Sequence, residues 1–315
     1  MATDLPIRIT PLQRNEVEEA DRIMRVAFGT FLGLPDPMAF LGDRSFIAPR
    51  FGSPNVRGHA ARIDGRIIGT NFATRWGQFG FLGPLTVLPE YWDKGIAQHL
   101  LRATEKTFDR WGLRRTALFT FPHSAKHVGL YQKFGYWPTY LTALMAHTPA
   151  ASSSHAGTLL STLPRKDREE AISACARITH RIDRGLDLTE EIRATLKQRV
   201  GEVVLIYTRK TLDAFALCMN GPGSEGGEKA CYVKFAAARS GLGAGDRFSR
   251  LLEAIDVFAV SRGASIEGGV NLAREDAFRR MRAHGYQVRA QGIAMVRPHV
   301  SAHNRADAYV IDDWR

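Results

Sequence analysis

Between positions 85 and 97 the chain reads Leu85-Thr86-Val87-Leu88-Pro89-Glu90-Tyr91-Trp92-Asp93-Lys94-Gly95-Ile96-Ala97. The pattern predicts a strand over 82–88 that ends at Pro89, a short turn, and then a helix whose apolar residues recur at helical spacing. The first N–H groups of such a helix have no partner within it, and they point with the positive end of the helix dipole toward one place. Small residues at 95 and 97 let a phosphate approach those amides, so the stretch predicts a phosphate-binding turn.

A second informative stretch follows this helix. A buried strand is predicted over 116–121, and Pro122-His123-Ser124 leads into a short helix that stops at Gly135-Tyr136. The helix begins with a polar residue, Ser124, and carries Tyr131 seven positions later. By itself, a tyrosine on an amphipathic helix indicates a core aromatic residue. Its occurrence after the phosphate-binding turn favours a functional role instead.

Together the two stretches resemble the signature of the GNAT superfamily of N-acetyltransferases. The matching residues are Leu85-Thr86-Val87-Leu88-Pro89 in the strand, Gly95-Ile96-Ala97 in the turn, and Tyr131 and Gly135-Tyr136 in the second stretch. The resemblance covers roughly residues 6–147. It implies an α/β (α+β) fold with a mixed, mostly antiparallel central sheet flanked by helices.

The resemblance also implies a reaction and a set of site residues. Acetyl-CoA is the expected cosubstrate, without a metal, and an amine would attack its thioester directly. Tyr131 would act as general acid toward the departing thiolate, since a phenol keeps its proton at neutral pH. Ser124 and Glu90 complete the predicted catalytic set. The residues implied in cofactor binding are Leu85, Thr86, Val87, Trp92, Asp93, Lys94, Gly95, Ile96, Ala97, Ser124 and Tyr131.

Three positions depart from the family pattern. Trp92 stands where glutamine or arginine is usual, so Lys94 is a candidate for the charge that would meet the phosphate. Ser124 replaces an asparagine and has a shorter reach. The predicted strand carries no carboxylate where the general base is often found, and the alternatives Glu90, Asp36 and His123 stay open.

The second half of the chain repeats the order of the first. Gly135-Tyr136 and Gly285-Tyr286 lie 150 positions apart, and the glycine-rich turn 241–245 precedes a strongly amphipathic helix. Met281 stands where the tyrosine would be, and a thioether cannot donate a proton. The sequence therefore predicts two tandem GNAT-like domains: a catalytic one over 1–148, a linker over 149–160, and a degenerate one over 161–315 whose tail docks on a domain.

Composition narrows the range of functions. Cys175, Cys218 and Cys231 show no metal-ligand spacing, which predicts buried free thiols and no zinc site. No apolar run is long enough for a membrane span and the N-terminus lacks signal-peptide character, so we expect a cytoplasmic protein without a membrane partner. The formal charge of +11 is dispersed along the chain, which disfavours a nucleic-acid arm.

The acceptor is expected to be a small-molecule or peptide amine, bound by a loop-rich lid over 29–55 and the domain interface. Two other classes of function remain as alternatives. One is an acyl-CoA-binding sensor without catalysis, and the other is a basic nucleic-acid-binding protein. The sequence also leaves a homodimer open.

Overall fold

A computed structural model of the chain describes residues 6–150 and 156–315. Its centre is one 14-stranded mixed sheet with helices packed on both faces. The strands are β1 (Arg8–Pro11), β2 (Val56–Ile63), β3 (Arg66–Trp76), β4 (Phe79–Leu82), β5 (Thr86–Val87), β6 (Arg115–Thr120), β7 (Trp137–His147), β8 (Thr158–Leu159), β9 (Gly201–Thr208), β10 (Thr211–Gly221), β11 (Gly227–Ala238), β12 (Ser265–Asn271), β13 (Gln287–Arg297) and β14 (Val310–Ile311). The α-helices are α1 (Val17–Phe31), α2 (Ile47–Phe51), α3 (Ile96–Arg110), α4 (Ala125–Gln132), α5 (Arg165–Ile182), α6 (Thr189–Gln198), α7 (Ala244–Ser261) and α8 (Glu275–Ala283).

The first half opens with an antiparallel meander. β2 and β3 are joined by the turn Asp64-Gly65, whose φ values of 47° and 80° lie in the left-handed region. Aspartate and glycine tolerate that region, which is why the dipeptide forms tight hairpin turns. From the sequence, this dipeptide between two strand-like runs predicts a hairpin, and the structure confirms it. Helices α1 and α3 pack on its second strand.

The predicted strand over 82–88 is wrong in one respect, because it is two strands. β4 pairs with β3 and β6 and ends at Leu82, whereas β5 pairs with β3 alone among the described strands. Gly83, at φ 139°, and Pro84 interrupt the ladder between them. Proline has no N–H to donate, and few side chains tolerate the φ of Gly83, so the pairing with β3 stops there and resumes at Thr86 with a one-residue shift in register.

The lid over 29–55 is also more regular than predicted. α1 runs into it as far as Phe31, a 3-10 turn covers Pro37–Ala39, and α2 follows. Phe46 and Ile47 are buried in a cluster with α1, which anchors α2 to the domain. The expected loop is therefore a pair of short helical segments held by core contacts.

The two halves exchange strands in the middle of the sheet. The order is β1-β2-β3-β4-β6-β13-β7-β12-β11-β10-β9-β8, so β13 of the second half lies between β6 and β7 of the first. β7 in turn pairs with β12 of the second half. β7 and β13 lie 150 positions apart in sequence, at 137–147 and 287–297. The structure confirms two tandem GNAT-like halves and shows that each completes the sheet of the other.

The end of the predicted linker and the C-terminal tail both add short strands to this shared sheet. Residues 151–155 of the predicted linker lie outside the described residues, and β8 forms from Thr158 and Leu159 near the linker's end. The division of the chain at 148 and 160 stays a prediction. The tail does dock as expected, because β14 pairs with β11. No described helix combines the length and apolar character needed to cross a bilayer.

Buried ion pairs link the two halves of the chain. Arg50 of α2 contacts Glu225 at 3.1 Å, and Lys234 lies 2.7 Å from Glu225 and 2.8 Å from Glu191. The adjacent cations hold the pKa of Glu225 and of Glu191 below the usual range despite burial. Arg50 also donates to the carbonyl of Gly83, between β4 and β5, at 2.8 Å. Glu225 of the second half therefore orients the guanidinium that binds this carbonyl.

Candidate functional site

The predicted phosphate-binding turn forms at the start of α3. Gly95 caps the helix with φ 77°, and Asp93 also takes a left-handed φ of 64°. Among the described residues, no hydrogen bond uses the N–H groups of Asp93, Lys94 or Gly95, and those of Ile96 and Ala97 belong to the first helical turn. Several free amides and the positive helix end therefore converge, as an anion requires.

The side chains of this turn are arranged differently from the sequence expectation. The Trp92 indole donates to the Val87 carbonyl at 2.7 Å, so the residue in the unusual position braces the strand. Lys94 donates to the carbonyl of Glu90 at 2.8 Å. Its ammonium also lies 5.1 Å from the centre of the Tyr91 ring. Lys94 is thus held toward the segment before the turn, and its contact with phosphate stays a prediction.

A lysine missed by the sequence analysis lies beside the turn. Lys126, the second residue of α4, contacts the Asp93 carboxylate at 2.6 Å, and both side chains are exposed. Asp93 would bring a negative charge close to a bound diphosphate. Lys126 neutralises that charge, and the two together leave the turn suited to an anion.

A gap opens in the sheet next to this turn. β6 pairs with β4 only between Arg115 and Ala117 and then continues along β13, while β5 turns away with β3. The N–H of Leu88 bonds to Ile68 in the neighbouring strand at 2.9 Å. Because successive residues of a strand face opposite edges, the N–H of Val87 lies on the edge facing the gap. Thr86 and Val87 are buried and Leu85 is half-buried at the gap.

Tyr131 lies on α4 with its ring buried, 7% exposed. It packs in a cluster with Leu82 at the end of β4, Leu118 of β6 and Met295 of the exchanged strand β13. No described residue accepts or donates a hydrogen bond at its hydroxyl. Burial raises the pKa of Tyr131 above its ordinary value, so the phenol stays protonated at neutral pH.

The other two predicted catalytic residues have visible local roles. Ser124 caps α4, its hydroxyl accepting from the N–H of His127 at 3.4 Å. Glu90 is exposed within a 3-10 turn, before the phosphate-binding turn. Asp36 caps the turn Pro37–Ala39 by accepting from Met38 at 3.0 Å. Their participation in catalysis stays a prediction.

A group of aromatic rings lies at the start of α4, the helix that carries Tyr131. Phe31, in the last turn of α1, lies 4.9 Å from Phe121, which follows β6. His127 lies 4.8 Å from Phe31, and His123 stacks on Phe31 at 6.3 Å. Phe28 extends the group toward Phe40 of the lid at 5.3 Å. We call these six residues the aromatic cluster.

His127 is the second residue that the sequence analysis missed. It lies four positions before Tyr131, so both side chains are on one face of α4. Its Nδ1 is buried and makes no hydrogen bond with a described residue. Burial, then the nearby charge of Lys126, lowers the pKa of His127. The spacing to Tyr131 is a sequence signal, but only the packing of Phe31 and Phe121 gives the imidazole its place.

The equivalent cleft of the second half is filled by the chain itself. Ala236 and Ala237 of β11 lie 150 positions after Thr86 and Val87, and they pair with Ile311 and Val310 of β14. In the turn before α7, Arg247 donates to the carbonyls of Arg239 and Leu242 at 3.0 and 2.9 Å. Met281 is fully buried. The tail therefore occupies the strand edge that is open in the first half.

The gap between β5 and β6, with free amides at one end and the buried phenol of Tyr131 beside it, is the arrangement expected of an acyltransferase cleft. Residues 25–136 match the family model described as the acetyltransferase (GNAT) family. The match lies within the first half of the chain and indicates an acetyltransferase domain there. Comparison with curated protein sequences finds no match.

Solved structures share the whole two-part fold. A putative acetyltransferase from Pyrococcus horikoshii is 16% identical, with a TM-score of 0.69, over 98% of this chain and 95% of that chain. A GCN5-related N-acetyltransferase from Sphaerobacter thermophilus is 16% identical, with a TM-score of 0.60, over 93% of this chain and 96% of that chain. At these identities the likeness concerns the fold alone.

The Asp93 and Lys126 pair can be tested through opposite effects on cosubstrate affinity. Lys126→Ala leaves the Asp93 carboxylate uncompensated near the diphosphate, so we expect KM for acetyl-CoA to rise roughly two- to fivefold. Asp93→Asn keeps a residue that tolerates the left-handed region and removes the negative charge, so KM should fall. Steady-state kinetics with Lys166→Ala as an exposed control decides this. Shifts in the same direction for both variants would contradict the assignment.

Proposed function

We propose that the chain moves an acetyl group from acetyl-CoA to an amine that carries an aromatic or apolar group, using the cleft of the first half. The observation that carries this proposal is the gap beside Val87, with the free N–H groups of Asp93, Lys94 and Gly95 at one end and Tyr131 beside it. The diphosphate would bind the turn, and the pantetheine arm would lie along the free edge of β5.

The acceptor would bind at the aromatic cluster. Ring faces attract a cationic amine and pack against apolar carbon, which supports an acceptor of this kind. His127 would take the proton released when the amine nitrogen attacks, because its lowered pKa keeps the imidazole neutral. His123, the alternative that the sequence left open, is exposed beside the same rings. Small molecules and peptides both remain within the proposal, as do a cytoplasmic location and a homodimer.

The reaction needs few groups. The lone pair of the amine nitrogen attacks the thioester carbon, and its proton passes to His127. The N–H of Val87 is suited to stabilise the oxygen as negative charge develops on it. As the carbon–sulfur bond breaks, sulfur takes the electron pair and then the proton of the Tyr131 hydroxyl. A panel of amines assayed for release of the coenzyme A thiol would identify the acceptor, and no release with any amine would contradict the proposal.

Tyr131→Phe removes the acidic proton and keeps the ring in its cluster. We expect kcat to fall by about 10² or more, the usual contribution of a positioned acid, with little change in KM for acetyl-CoA. Tyr136→Phe is a matched control, since that buried tyrosine donates to Glu105 at 2.6 Å and plays no part in the reaction. A kcat within about twofold of wild type in Tyr131→Phe would refute the assigned role.

His127→Gln keeps a polar side chain of similar size and removes the base. Because the pKa of wild-type His127 is lowered, its imidazole becomes protonated only below the ordinary pH range of histidine, and kcat/KM should fall there. In the variant we expect kcat/KM to be roughly 10²-fold lower at neutral pH and to show no such fall at acidic pH. His123→Gln serves as the comparison. If His123→Gln abolishes the fall in kcat/KM at acidic pH and His127→Gln keeps it, the base is His123.

The filled second cleft predicts one coenzyme A per chain. Isothermal titration should give a stoichiometry of one for the wild type. Gly95→Val should abolish all binding, because a β-branched residue is strained at the φ of 77° on which the turn depends. Circular dichroism checks that the variant is folded. A second equivalent, or binding that survives in the variant, would show that the second half also holds the cosubstrate.

A further inference from the structure

A second group of reactive side chains lies in the other half, away from the acetyl-transfer cleft. His147 ends β7, Asp256 lies on α7, and His284 follows α8. The Nε2 atoms of His284 and His147 lie 2.8 and 3.6 Å from the same oxygen, Asp256 Oδ2. One ligand atom from each residue falls within 4.8 Å of the other two. The proposed acetyl transfer uses none of them.

The spacing of these atoms suits one small divalent ion. Zinc binds nitrogen and carboxylate oxygen at about 2.1 Å, so two ligands of a tetrahedral site lie about 3.4 Å apart. The separations of 2.8 and 3.6 Å from Asp256 lie on either side of that value, and small side-chain rotations would equalise them. The Asp256 side chain is 6% exposed, and those of His147 and His284 are 15% and 20% exposed. The carboxylate is therefore buried, while the imidazoles leave a path to solvent.

The corresponding place in the first half contains a cation. Arg297, at the end of β13, lies 150 positions after His147 and forms an ion pair with Glu105 of α3. Its guanidinium also lies over the ring of Tyr136, as His147 stacks on the ring of Tyr286 at 5.0 Å. In both halves, the last residue of an exchanged strand thus contacts a carboxylate on a helix and the ring of the tyrosine in the Gly-Tyr pair that follows the last helix of that half. The second half has two imidazoles where the first has a guanidinium.

Local backbone and packing hold His147 toward the other two ligands. A Cβ atom at Gly285 would lie 3.0 Å from Cε1 of His147, and the φ of Gly285 is 105°. A larger residue would push the imidazole away from Asp256. The fully buried ring of Tyr286 stacks on the imidazole of His147 with an interplanar angle of 29°. The approach of the three ligands is therefore built into the fold.

We propose that His147, Asp256 and His284 bind a divalent first-row transition metal, with zinc as the expected ion, and that the ion fastens the exchanged strand β7 to the second half. Two imidazoles and one carboxylate favour such a metal over Ca²⁺ and Mg²⁺, which prefer oxygen ligands. Three protein ligands leave one position for water. The role is structural, because the ion joins a strand, a helix and a loop that are far apart in sequence.

The test uses the full chain, free of affinity tags and stripped with a chelator. Titration with Co²⁺ alone should produce the visible absorption of a four-coordinate site, saturating at one equivalent, and Zn²⁺ should displace it. One equivalent of Zn²⁺ should also raise Tm by several degrees, since an ion that binds only the folded state stabilises it. His147→Ala and His284→Ala should each weaken binding by at least about 100-fold.

His99→Ala is the matched control, because this histidine is exposed on α3 and should leave metal binding unchanged. Absence of Co²⁺ and Zn²⁺ binding at micromolar ion would overturn the proposal, as would unchanged binding in the His147→Ala/His284→Ala double variant. If those variants fail to fold, X-ray absorption of the zinc-loaded wild type decides. It should give two imidazole nitrogens and oxygen ligands, and sulfur or fewer than two imidazoles would refute the site.

Discussion

The pairing of β13 between β6 and β7 is the constraint on which the rest of the structure depends. Without it, β6 would lack a partner along its second half, and β7, which pairs with β12 of the second half, would lack its other neighbour. The exchanged strand also supplies Met295 to the cluster that holds Tyr131. The proposed acetyl-transfer cleft therefore belongs to the first half in sequence but needs the second half for its core. Separating the halves would expose two long strand edges, which proteins generally avoid.

Within this shared frame the two halves have diverged at equivalent places. In the first half the sheet divides after β4, and no described strand pairs with the edge of β5 beside the turn at Gly95, where the Trp92 indole binds the Val87 carbonyl. In the second half β14 pairs with that edge and Arg247 binds the carbonyls of the turn. The same fold thus gives one open cleft and one closed by its own tail. The closed half still contributes, because Glu225 orients Arg50 and Arg50 holds the carbonyl of Gly83.

Charge and aromatic rings give the open cleft its proposed chemistry. Asp93 takes a backbone conformation that glycine usually fills, and Lys126 from α4 balances its charge. The same helix carries His127 and Tyr131 on one face, so the proposed base and the proposed acid share one rigid element. Rigid placement matters because a proton must be taken from the amine and another given to sulfur within one bound complex. Phe31 and Phe121 pack against His127 and reduce its contact with water.

The sequence alone determined the local elements, the repeat of 150 positions and the site signature, because turn residues and hydrophobic periodicity act over a few neighbouring positions. The hairpin at Asp64-Gly65, the helix that follows Gly95 and the buried cysteines were predicted in this way and are confirmed. Only the tertiary structure decided the strand exchange, the tail in the second cleft, the place of His127, and the meeting of His147, Asp256 and His284. These depend on which distant strands pair, and a strand's own pattern shows that one face will be buried without showing which partner will lie beside it.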